Sequence, residues 1–282
     1  MKKRRSVRFR VLAVLLSIAV FVVAFLSLAQ LGVLINAKRV RWAPDYEKTD
    51  ISALLFKNER TEEDYRTLYE QTGLTRLGID GLLKSGNFGR ILNIQTAFFK
   101  QKEILSKNIA PFTFYERFDE VMPTAELENG DIILTASVYV SFFRYGHSAL
   151  VTDASQGELL ESFSPGTTSS ISSKDVLLSY CTFLIVRPKA TKEVRTQVAA
   201  YAAKELVGIP YKLTAGIFEK KYDERGLKTT QCTHIVWYAY QKFGIDLDGN
   251  GGKIVKPQDV FLSEQVELVQ AYGFDLDRLW RE

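Results

Sequence analysis

The chain is poor in the residues that crosslink a protein or hold a metal. Cys181 and Cys232 are its only cysteines, and His147 and His234 its only histidines. Two cysteines can close at most one bridge, which excludes a disulfide framework. No C-x-x-C or similar ligand pair is present, which argues against a zinc site built from those four residues. No metal and no cofactor is therefore expected. A core can form without such staples, because 282 residues with 46% apolar and 25% charged side chains have the profile of an ordinary globular protein. Basic residues are scarce where a nucleic-acid surface would need them. Lys2, Lys3, Arg4, Arg5, Arg8 and Arg10 crowd into the first ten positions, and the other 31 basic residues face 33 acidic ones. The net charge of +4 thus belongs to the tip, and no phosphate-binding stripe lies downstream.

Beyond the tip lies a run with no charge at all, from Val11 to Ala29, continued by LGVLI after Gln30. Its nineteen residues rise about 1.5 Å each, roughly one hydrocarbon thickness. A cleaved signal peptide ending at Ser27-Leu28-Ala29 is one reading; a retained signal anchor is the other, favoured by the length and by the apolar continuation to Ile35. In both, the cations stay in the cytoplasm and the rest is exported. The expected location is the cell membrane, crossed once, with the bulk of the chain outside.

Residues 1–40 form this tip and anchor, and two further regions lie beyond them. From 41 to 125 the texture is helical and irregular, without a clear strand signal. Thr61 before Glu62, Glu63 and Asp64 predicts a helix start, with a hydroxyl cap and acids on the positive end of the dipole, and Gly73 predicts its stop. Gly78, Gly81, Gly86 and Gly89 punctuate the next stretch. This connector is read as a stalk, a lid or a dock for a partner. From 126 to 282 the pattern changes to short runs rich in branched and aromatic residues: DIILTASV, HSALVTD, ELLESFS and CTFLIVRP. With turn residues between them they predict a four-stranded, mostly antiparallel sheet. A helix capped by Thr191 comes after them, then a loop through Ile209-Pro210-Tyr211, then the helix CTHIVWYAYQKF ended by Gly244. Strands first and helices after them indicate an α+β domain.

Within this domain one cysteine and one histidine stand where nucleophilic catalysis would use them. Cys232 opens its helix, where free backbone N–H groups and the dipole favour a thiolate. His147 opens a strand, and imidazole can take the thiol proton and later return one to a leaving group. Glu161, on the next strand, is the candidate for holding the imidazole in one tautomer. Each also has a plain reading: Cys232 as a buried apolar residue, His147 as a strand end, Glu161 as a surface carboxylate. Cys181, ahead of Phe183-Leu184-Ile185-Val186, reads as a core strand residue that could also pair with Cys232. His234 lies two positions beyond Cys232, about 200° around the helix, so the two side chains diverge.

The ordered segments GDII, GHSALV, ELLESFSPG, GIPYKL and QCTHIVWYAY resemble the permuted branch of the NlpC/P60 cysteine hydrolases, whose relatives include YiiX-like and YycO-like proteins. The similarity spans about residues 128 to 265, half the chain. It implies a circularly permuted papain-like core, with the histidine strand early and the nucleophile helix late. Residue by residue, it matches Cys232 to the nucleophile, His147 to the base and Glu161 to the acidic partner. Tyr211 matches the tyrosine of the Gly-x-Pro-Tyr turn, a residue for packing or for contact with substrate or oxyanion. The implied activity is thiol-dependent hydrolysis by an amidase or peptidase, with cell-wall peptides as the expected substrate outside the membrane. His234 departs from the pattern and gives a Cys-x-His similar to the lecithin:retinol acyltransferase group. That keeps open a lipid-directed acyltransferase or thioesterase, besides a non-catalytic wall-associated scaffold. The expected partners are the membrane and a wall-peptide or acyl-lipid substrate, and not nucleic acid.

Overall fold

A computed structural model describes residues 2–39, 42–110 and 112–280. The N-terminal run is one helix, α1 (Lys2–Arg39), whose stretch Phe9–Ile35 has a mean hydropathy of 3.0 and is long and apolar enough to cross a membrane. Most of its apolar side chains are bare; Ala29, Gly32 and Val33 are the positions covered by the rest of the chain.

The remainder is α+β, with antiparallel sheets. Four short helices come first: α2 (Ser52–Leu55), α3 (Glu62–Thr72), α4 (Arg76–Lys84) and α5 (Phe88–Phe99). Strands β1 (Leu105–Ala110), β2 (Thr113–Arg117), β3 (Ile132–Thr135), β4 (Val138–Val140), β5 (His147–Asp153), β6 (Glu158–Glu161) and β7 (Ser170–Ser173) succeed them. Then come α6 (Lys174–Leu178), β8 (Phe183–Pro188), α7 (Lys192–Glu205), α8 (Cys232–Gln241), α9 (Pro257–Phe261) and β9 (Val266–Tyr272). The main sheet runs β7-β6-β5-β3-β8-β9, and a small sheet runs β1-β2-β4. The four expected strands are β3, β5, β6 and β8. Two edge strands extend the sheet to six: β7, with a single apolar residue, and β9, reached from the far end of the chain.

Both faces of the main sheet are buried, which is why its central strands read as unbroken apolar runs. Ile132, Leu134, Leu150, Leu160, Leu184 and Val186 turn to the layer that includes α7 and α8. Their neighbours Ile133, Ala149, Val151, Leu159, Phe183 and Ile185 turn to a second core with Leu68, Ile79, Leu82, Ile91 and Phe98 of α3–α5. The segment expected as a helical connector is therefore a full layer of the fold. It also carries β1 and β2; the first of these reads LSKNIA, too polar to give a clear strand signal.

The capping of α3 agrees with the sequence. Thr61 and Asp64 close a reciprocal capping box, and Gly73 ends the helix in the left-handed region at φ 70°. A Cβ at Gly73 would lie 2.0 Å from the Ala271 carbonyl oxygen, so only glycine lets the chain turn against β9. The N–H of Ala271 donates to Gly73 O at 2.8 Å, and that of Thr75 to Val269 O at 3.0 Å, pinning the helical layer to the sheet edge. Gly78 punctuates nothing; it sits inside α4, where its bare Cα lets the helix approach Val269.

Candidate active site

Strand register brings His147 and Glu161 together. Leu150 pairs with Leu160 across the β5–β6 hairpin, which puts Glu161 alongside Ala149 and diagonal to His147 on the same face. His147 Nε2 lies 2.7 Å from Glu161 Oε2, with both groups buried. That bond takes Nε2 and leaves Nδ1 as the remaining ring nitrogen.

The cysteine arrives from α8. Gln231 caps that helix: its Oε1 accepts the Thr233 N–H at 2.9 Å, and its Nε2 donates to Val255 O at 2.8 Å. Ser148, next to His147, donates to Thr233 Oγ1 at 3.1 Å, which ties the start of β5 to the first turn of α8. Cys232 is held between these contacts. Its thiol donates to Gln231 Oε1 at 3.2 Å and lies 3.6 Å from Thr233 Oγ1, and it is close enough to His147 for each group to shift the other's proton affinity.

The electrostatics lower the thiol and raise the imidazole. Burial alone would raise the Cys232 thiol, but the hydrogen bond and charge of His147, helped by the hydroxyl and N–H of Thr233, bring it below its ordinary value. Burial likewise opposes a charge on His147, yet the thiol and carboxylate flanking it hold the imidazole up, to about 10. Glu161 is kept low against its own burial, mainly by its bond to His147. All three directions favour the charged form of the group over its neutral one.

The pair is closed over. Cys232 and His147 are each 2% exposed, and Phe163 sets its ring edge-on to the imidazole, centroids 5.2 Å apart. An open cleft at the sulfur, expected for a hydrolase in its working state, is not what this conformation presents. The phenols of Tyr145 and Tyr211 lie near Cys232. Burial pushes both upward, and the negative sulfur adds to it. Tyr211 is fixed by backbone bonds on either side, its N–H to Thr167 O at 2.9 Å and Lys212 N–H to Thr230 O at 2.7 Å. The hydroxyl of Tyr145 is buried and has no hydrogen-bond partner among the described residues. Sequence reasoning passed over Tyr145, although its place two residues before His147 was a usable signal.

His234 and Cys181, which the sequence sets apart from the site, lie apart from it. His234 points away, donating from Nε2 to Lys221 O at 2.8 Å and accepting from Thr230 at Nδ1, 3.1 Å. Burial holds it below its ordinary value, and it stacks on Trp237. Cys181 is buried in the core on the α3–α5 side, and neither cysteine takes part in a disulfide.

No protein family, curated protein or solved structure matches this chain.

Proposed function

We propose that the chain is a cysteine hydrolase of the permuted NlpC/P60 type, with Cys232 as nucleophile, His147 as base and acid, and Glu161 as the group that orients His147. The observation that carries this reading is the meeting of three buried polar side chains that packing alone has no reason to bring together. Proton transfer from Cys232 to His147 Nδ1 gives a thiolate that attacks the carbonyl carbon of an amide. The resulting oxyanion forms beside the first turn of α8, at the positive end of that helix. The Tyr145 hydroxyl, buried without a partner among the described residues, is the candidate donor to the same oxygen. Collapse of the intermediate expels the amine, protonated by His147, and leaves a thioester on Cys232. Water then attacks that thioester, with His147 as base, and frees the acid.

Export past the membrane makes cell-wall peptides the leading substrate. A second reading, acyl transfer or thioester cleavage on lipids, is favoured by a separate observation. Phe25 of α1 packs on Phe112 at the end of β2, ring centroids 6.3 Å apart, so the anchor touches the domain itself. Labelling with a small electrophilic acyl or alkyl probe tests the common claim. Cys232 should react far faster than Cys181, and Cys232→Ala should abolish that labelling. Competition by muropeptides or by acyl lipids then separates the two substrates. Equal, slow reaction of both thiols would overturn the hydrolase reading.

A further inference from the structure

Two charge-free stretches, residues 108–115 and 132–143, meet at one end of the small sheet. The Ser141 N–H donates to Phe112 O at 3.0 Å, joining their turns, and both residues have positive φ, 59° at Phe112 and 48° at Ser141. Such backbone is uncommon outside glycine and is held by its surroundings. The tip so built displays Phe142 at 47% exposure and Phe143 at 74%. Two of the charged side chains that flank these stretches turn inward: Arg144 pairs with buried Glu116 at 3.3 Å and donates to Ala136 O at 3.0 Å.

This tip lies against α1. Phe112 meets Phe25, and a Cβ on Gly32 would fall 2.6 Å from the Phe142 ring, so glycine lets the ring press on the helix. Both contacts fall within the apolar span Phe9–Ile35. At about 1.5 Å per residue, Phe25 lies about 15 Å along the axis from Ile35. The 27-residue span is about 10 Å longer than a hydrocarbon core. Even with all of that excess emerging at the Ile35 end, Phe25 stays about 5 Å below the surface. The Phe112 ring packed on it is then at membrane depth, and Phe142, packed on Gly32 about 4.5 Å from Ile35, is at membrane depth when less than about half of the excess emerges at that end.

We propose that Phe112, Phe142 and Phe143 form an aromatic wedge embedded in the bilayer beside α1, so that the domain grips its membrane twice. Lys107, three residues up the hairpin from the turn, is exposed and long enough to reach the headgroups from there. His147 comes four residues after Phe143, which keeps it within about 14 Å of the wedge along even a fully extended chain. The wedge therefore sets the candidate site at the bilayer surface. The inference rests on α1 crossing a bilayer and does not depend on the chemistry at Cys232.

The test uses the full chain with Cys181→Ala and Cys232→Ser, reconstituted in phosphatidylcholine and phosphatidylglycerol bilayers. A nitroxide is attached in turn to Phe112→Cys, Phe143→Cys, Val20→Cys on the bare face of α1, and Lys204→Cys on α7. Power saturation should show oxygen collisions dominating at 112 and 143 as at 20, and nickel-chelate collisions dominating at 204. Retained circular dichroism shows that each variant is folded; Phe143, mostly exposed, is the safer of the two. Lipid-like behaviour at 20 with water-like behaviour at 143 and 112 would overturn the wedge. Water-like behaviour at 20 would overturn the anchor and the wedge together. Neither outcome touches the hydrolase reading, which has no part in the measurement.

Discussion

Replacing Glu161 by Gln removes one buried charge while keeping the shape of the side chain, and its effect should appear two groups away, on sulfur. The carboxylate accepts from the imidazolium at 2.7 Å in a site closed to solvent. A charge-assisted hydrogen bond of this kind contributes about 1.5–3 kcal/mol, and one pKa unit is about 1.4 kcal/mol. An amide oxygen still accepts from Nε2–H but supplies no charge, so most of that range is lost. His147 should therefore titrate about 1–2 units lower. The thiolate loses part of its partner, and the Cys232 pKa should rise. In a pH series of iodoacetamide alkylation the acid limb reports the thiolate. It should move up in Glu161→Gln, while the second inflection, where the imidazolium beside the thiolate gives up its proton near 10, moves down. The interval in which the ion pair exists narrows from both sides. A variant that stays folded with an unmoved acid limb would refute the relay, because Glu161 would then be a bystander to the ion pair.

Four other outcomes are expected from the same structure. Thiol counting on the denatured, unreduced protein should find two reactive groups, since neither cysteine is bridged; one bridge would oppose a nucleophilic role. Stability should fall as pH rises toward 10: His147 is raised above its unfolded value of 6.5, so its contribution is complete below 6.5 and lost on passing the folded value. Thermal melts of wild type and His147→Ala should converge on that alkaline side, and parallel curves would contradict it. Gly73→Ala should cost about 1–3 kcal/mol or more in denaturant melts, from positive φ and the overlap with Ala271 O, and a neutral result would show that the turn relaxes freely. Arg187→Met should cost about 3–5 kcal/mol by stranding fully buried Asp131, which it grips through two bonds of 2.8 Å, and Arg187→Met with Asp131→Leu should recover much of it.

The parts legible from sequence are those where a local rule and the tertiary context agree. Cys232 at a helix start, Thr191 at the cap of α7 and Thr61 at the cap of α3 are short-range statements, and each helix begins there. The central strands were visible because burial on both faces writes continuous apolar runs. The strands that escaped notice are held by partners remote in sequence. β9 closes the sheet from the far end of the chain by pairing with β8, and β7 is mostly serine, bound as an edge to β6. Glycines misled for a related reason. Gly78 looks like punctuation in sequence, yet its purpose is a close approach to Val269, nearly two hundred residues away.

The site divides along the same line. The pairing of His147 with Glu161 is a hairpin relation and could be anticipated from strand period alone. Its closure could not, because Phe163, Tyr145 and Tyr211 come from three loops whose meeting no local pattern encodes. That closure bears on how the site would work. A thiolate kept from water is protected from oxidation and is held by stronger electrostatics than an open one. Substrate must then displace part of the cover, and the movable part is constrained. Tyr211 is clamped by backbone bonds to Thr167 and Thr230, whereas the Tyr145 hydroxyl has no partner in the described chain. Tyr145 also stands between Phe143 of the wedge and His147 of the pair, in a segment of five residues. The Gly146 N–H donates to Val138 O at 2.9 Å and Arg144 pairs with Glu116, so the backbone is held on both sides of Tyr145 and opening there falls to its side chain.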